Sequence, residues 1–191
     1  MTTHLERGWT LGLKSIWDMR AKLAWEATIV RDQDRDRPGA LKTGPTYEPR
    51  AFLFASANAI ATAWHMVEWL HYQLEKDGLV ANASAAVGAD LSTADKVQKW
   101  VCLNDAMRTC GAICLAGKHL QLKHKGFAGL DLDVPVFFNF YVEPGSSPSI
   151  LMTSTAEIST DGGTYTQTLL NVLRDAEIFW DHTLSVTGIP R

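Results

Sequence analysis

The sequence predicts a mainly α single domain, four helices in a bundle with a small antiparallel β-hairpin inserted at 134–160, before the last helix. Three observations carry this. Apolar residues recur at helical spacing over four segments. One of these, residues 48–77, is apolar almost all round, as a central helix would be. Between 134 and 158 the pattern changes to runs of β-branched and aromatic residues.

The first helix is expected over 11–31, with Leu13, Ile16, Trp17, Leu23, Ala24, Ala27 and Val30 inward and Lys14, Asp18, Lys22 and Glu26 on the opposite side. Pro38-Gly39 ends the charged stretch that follows, and residues 32–47 read as a long polar connection. The second helix has Glu48 where a cap belongs, Pro49 at the first helical position and Asp77-Gly78 as its stop. Over 49–76 it would be roughly 40 Å long at 1.5 Å per residue. Residues 79–90, rich in Ala, Ser, Gly and Asn, read as a loop. A third helix is expected from Ser92-Thr-Ala-Asp95, which resembles a capping box, to about Gly117. Residues 134–142 and 150–158 read as strands around the turn at 143–148, and Asp161-Gly162-Gly163 as a second turn. The last helix is expected over 166–185.

Composition narrows the function classes. At 191 residues, one domain is expected, burying about 65–70% of the unfolded chain's surface. The content is 46% hydrophobic and 20% charged, ordinary for a soluble globular protein. A net charge of −3 without a Lys/Arg run weighs against a broad nucleic-acid footprint and leaves room for a local basic patch. Seven tryptophans point to bulky helix–helix packing. No apolar run reaches 18 residues, so no membrane span is expected, and the opening MTTHLERGWT has no signal-peptide pattern. Cys102, Cys110 and Cys114 fall in one expected helix. Their odd number and close spacing fit a reduced cytoplasmic interior rather than a disulfide framework.

The residues that carry chemistry form two polar lines. Asn58, Thr62, His65, Glu68 and Tyr72 follow each other at three- and four-residue steps along the second helix. A second line holds Asn104, Asp105, Arg108, Lys118 and His119. His65 and Glu68 can touch, which orients the imidazole for general-base work or satisfies a buried polar pair. His71 lies roughly 240° round the helix from His65, so the two cannot share a ligand. Arg108 and His119 share a face but stand about 16 Å apart along a straight helix. Lys118, His119, Lys123, His124 and Lys125 make the one basic cluster, suited to a phosphate, an acidic partner or a solvated helix end.

The catalytic candidates are therefore His65, Glu68, Arg108 and His119, and the binding candidates Asn58, Tyr72, Lys118 and His124. His65, Glu68, Asp105, His119, Glu177, Asp181 and His182 are the donors open to a metal, yet none has zinc or di-iron spacing. No nucleotide-binding or hydrolase motif is present. No metal and no cofactor is expected.

Trp64-His65-Met66-Val67-Glu68-Trp69 and Gly117-Lys118-His119 resemble motifs of small bacterial and phage helical proteins of unknown role. The arrangement over 50–125 and 165–185 is also similar to the HEPN superfamily. That resemblance implies a HEPN-like bundle that dimerises and serves a defence or phage-related system by binding RNA or a protein partner. Its alternative implication is a metal-independent ribonuclease, with His65 or His119 handling the proton and Arg108 or Lys118 on the phosphate. The family's catalytic members space Arg and His more closely than Arg174–His182 or Arg108–His119 here. A third reading is a structural oligomerisation module without catalysis.

Overall fold

The computed structural model describes residues 12–33, 49–116, 131–133, 136–141, 149–160 and 163–191. Its helices are α1 (Ile16–Gln33), α2 (Pro49–Lys76), α3 (Val80–Val87), α4 (Ala94–Val101), α5 (Asp105–Ala116) and α6 (Leu169–Val186). The protein is mainly helical, and no helix among the described residues is long and apolar enough to cross a membrane.

α2 is the axis of the fold. It packs against α1, α3, α4, α5 and α6, and Ile60, Ala63, Met66, Leu70 and Leu74 along it are buried. They join Ile16, Leu23 and Val30 of α1, Met107 and Cys110 of α5, and Leu173, Trp180 and Leu184 of α6 in one core. The Trp180 indole donates to the Ala63 carbonyl at 3.0 Å, pinning α6 to the middle of α2. Complete burial pushes the Cys110 thiol up to about 12, so it behaves as a small core residue. Pro49 and Gly78 bracket α2 as the sequence indicates. Gly78 takes φ +67°, and the next amide, Leu79 N–H, donates back to Leu74 at 2.9 Å, closing the last turn.

Local chemistry moves three boundaries. Helix α1 starts at Ile16 rather than 11. Asp18 accepts from the Lys14 and Ser15 amides at 2.8 and 3.0 Å, while the Ser15 hydroxyl accepts from the Asp18 amide at 3.2 Å. This reciprocal cap fixes the first turn. Residues 79–90 contain α3 rather than only loop, because alanines favour helix and Gly88, at φ +67°, terminates it. The long third helix is two. Thr93 caps α4, accepting from the Lys96 amide, and Lys96 and Ser92 hold the Asp90 carboxylate below its ordinary range. Bonds from the Leu103 and Asn104 amides to Trp100 and Val101, both 3.0 Å, then tighten and end α4. Asn104 Oδ1 accepts from the Met107 amide at 3.1 Å, the bond of an N-cap, and opens α5. The chain thus has six helices among its described residues where the sequence leads to four.

The backbone also forms β1 (Asp131–Asp133), β2 (Val136–Tyr141), β3 (Ser149–Thr160) and β4 (Gly163–Thr168), all antiparallel to β3. Phe138 stands opposite Met152, Leu132 opposite Ile158, and Tyr165 opposite Ile158. β4 takes residues 166–168 from the expected last helix. α6 starts at Leu169, its cap Thr168 accepting from the Asn171 amide at 3.2 Å.

The Ser15–Asp18 cap gives a first prediction. Asp18→Ala is expected to cost about 0.5–2 kcal/mol of unfolding free energy. The Lys14 amide, above all, lowers the Asp18 pKa from its usual value. Its contribution is therefore full above the ordinary Asp range and fades as pH falls through the lower folded value. In urea titrations, Asp18→Asn should trail wild type at neutral pH and draw level with it in strong acid. A deficit that persists unchanged in acid would rule the cap out as the cause.

Candidate functional site

The two polar lines meet different fates. At 100° per residue the stripe on α2 fans across roughly 120°, from the side facing α1 to the side facing water. Thr62 is buried against α1 and accepts from the Lys22 ammonium. His65 and Tyr72 are half-buried, and Asn58 and Glu68 are exposed. His71 Nε2 lies 3.6 Å from Glu75 Oε1, beyond hydrogen-bond reach. Arg108 is half-buried and pairs with Asp105 at 2.9 Å, one turn back on α5. Lys118, His119 and His124 lie outside the described residues, as do Glu48, Lys123 and Lys125. Among the described residues no group of three His, Cys, Asp or Glu side chains is arranged to hold a metal ion.

What the structure does bring together is the corner between α4 and α5 and one face of α6. Asp175, Ile178, Phe179 and His182 fall at three- and four-residue steps on α6, so they share that face. Opposite them stand Leu103, Asn104, Asp105 and Ala106, enclosing a groove of about 670 Å³. That size is within the range of ligand-binding clefts. The groove exists because the helix breaks at Cys102–Asn104. A continuous helix would turn Leu103 with its neighbours, whereas the tight corner leaves it 80% exposed. Ile178 is 60% exposed across from it. Phe179 backs the α6 wall, packed on Trp100 at 5.6 Å and edge-on to Trp180 at 5.2 Å.

Polar groups frame these apolar side chains. Asp105 and Asp175 line the groove, while their arginine partners, Arg108 at 2.9 Å and Arg174 at 3.1 Å, are not among its lining residues. Two exposed aliphatic side chains within a rim of carboxylate, carboxamide and imidazole suit recognition of a surface that is apolar with hydrogen-bond donors. Asn104 and Asp105 were legible in the sequence as members of the second polar line. Leu103, Asp175 and Ile178 were missed. The Asn at the corner was the available signal, as a helix-capping residue type inside an apolar run.

Ion pairs fix the opposite flank of α1. Arg20 grips Asp181 with Nε and Nη2, both at 2.8 Å, and reaches Glu177 at 3.5 Å. Arg31 pairs with the other Glu177 oxygen. On the α2 side, Lys22 donates to Glu26 at 2.6 Å. Glu26, expected to face water, is only 7% exposed, because α2 covers that flank of the apolar seam.

Fold and site together define a mainly helical protein with a mixed apolar and polar surface groove. Compared with family models, with curated proteins and with solved structures, the chain matches none.

Proposed function

We propose that this chain is a binding module, a HEPN-like helical bundle with a hairpin insert, that engages a protein partner through the groove between the α4–α5 corner and α6. One observation carries the reading: Leu103 and Ile178, from different elements, are exposed on the same groove. Large aliphatic side chains held out in a cleft repeatedly mark protein contact sites. The rim favours protein over RNA, since Asp105 and Asp175 would face phosphates with like charge. An accessory role in a defence or phage-related system, in the cytoplasm and as a homodimer, follows from the resemblance of the Trp64–Trp69 and Gly117–His119 motifs. The odd number and close spacing of the three cysteines agree with a reducing compartment.

The test uses Leu103→Asp combined with Ile178→Asp, both at exposed positions, so that folding is spared. Affinity co-purification from the source cell, beside sedimentation at several concentrations, should show partner retention or self-association reduced on the order of tenfold or more. His65→Ala should leave it intact. Equal recovery from wild type and the double variant would refute the groove. Cleavage of labelled RNA in EDTA, lost in His119→Ala, would restore the ribonuclease reading instead.

A further inference from the structure

Among the described residues two carboxylates are buried, Glu26 on α1 and Glu177 on α6 facing α1, and they are paired differently. Glu177 has a cation on each oxygen, Arg20 on one and Arg31 on the other. Among the described residues, Glu26 has a cation on one oxygen only. Lys22 holds Oε1 at 2.6 Å and also donates to Thr62, while Oε2 is closed off from water and accepts no hydrogen bond among the described residues. A buried carboxylate oxygen left without a donor is costly and calls for an occupant.

Beside Glu26 lies a cleft of about 240 Å³, lined also by Trp25, Ile29, Ala55 and Asn58. It is smaller than the usual range for drug-sized ligands and suits something the size of a side chain. Trp25 is 65% exposed despite its size, offering an aromatic face. Ile29 and Ala55 supply an apolar wall for a short alkyl chain, and the exposed Asn58 carboxamide adds an acceptor.

We infer that this cleft binds an organic cation bearing N–H donors, a primary ammonium or a guanidinium, between Glu26 and the Trp25 ring. The carboxylate repels anions, and the ring's negative face attracts a cation. The terminal torsion of a glutamate is soft, so the carboxylate can turn to share its two oxygens between Lys22 and the ligand. Glu177 shows that a buried carboxylate in this protein carries two cations at once. The site is separate from the α4–α5 groove and does not depend on the function proposed there.

The test is fluorine NMR on the full chain carrying 5-fluorotryptophan, with Trp25→Phe identifying the Trp25 signal. n-Butylammonium and n-butylguanidinium should shift that signal saturably, and n-butanol should bind at least about tenfold more weakly. Glu26→Gln should weaken cation binding by a similar factor with the other six tryptophan signals in place. Should Glu26→Gln disturb those signals, Ala55→Leu fills the cleft without touching its charge and should abolish the shift. A Lys-containing tripeptide that binds like n-butylammonium assigns the site to a partner's side chain, and its exclusion assigns the site to free amines. No saturable shift, equal binding of n-butanol, or unchanged binding in Ala55→Leu would overturn the inference.

Discussion

Replacing Trp180 with alanine is expected to lower the unfolding free energy by about 3–5 kcal/mol, the largest loss from any single change considered. The side chain is fully buried in the core cluster, and it touches Phe179 edge-on at 5.2 Å. Its removal leaves a void at the junction of α6 with α2, the helix that every other helix contacts. It also removes the donor to the Ala63 carbonyl. Domains of this size are stable by only about 5–15 kcal/mol, so much of the margin goes. Trp180→Phe separates the two contributions. It keeps most of the ring and loses the N–H, so it should cost about 1–3 kcal/mol. Denaturant titration followed by far-UV circular dichroism measures both. An alanine variant within about 1 kcal/mol of wild type would mean that this junction does not hold the fold.

Arg20→Ala is expected to be the second most damaging change, at about 2–4 kcal/mol. The guanidinium is largely buried and ties α1 to α6 through Asp181 and Glu177. Truncation leaves the buried Glu177 carboxylate with Arg31 alone, and that arginine is 44% exposed and so better screened. The figure sits below the full cost of breaking a buried pair because Asp181 is itself mostly exposed. The contrast provides the check: Asp181→Ala should cost no more than about 1 kcal/mol. Comparable losses in the two variants would show that Glu177 does not need Arg20. The bonds that Arg20 donates to Asp181 raise its pKa above the ordinary value. Through the titration of Arg20 itself, this stabilisation is fully present from neutral pH up to the ordinary arginine range and is lost as pH rises through the folded value. It should therefore be constant across neutral pH.

The parts of the fold legible in the sequence are those set by local rules. The bounds of α2 follow from a proline that tolerates only the first turn and a glycine that reaches a positive φ without strain. The Ser15–Asp18 cap is equally local and was present to be read, but apolar residues at helical spacing continue back to Leu13 and hid it. The same masking explains the α4–α5 corner. Apolar spacing runs from Val97 through Cys114 without a gap, so periodicity predicts one helix, and only Asn104 marks the turn. Of the candidate site, Asn104 and Asp105 could be singled out as polar residues on an apolar helix. Their neighbours Leu103 and Ile178 could not, because an exposed aliphatic residue looks like a core residue until its surroundings are known.

Local patterns make the chain mainly helical, put α2 at its centre, and mark where that helix begins and ends. These depend on residue type and spacing alone. Which polar groups are buried, which are paired and which face a groove depends instead on how the helices pack. Glu26 and Glu68 are both acids on helices of the core, yet one is enclosed by a neighbouring helix and the other meets water. The difference lies in what packs beside each one, and burial depends on groups distant in the chain that no local pattern encodes.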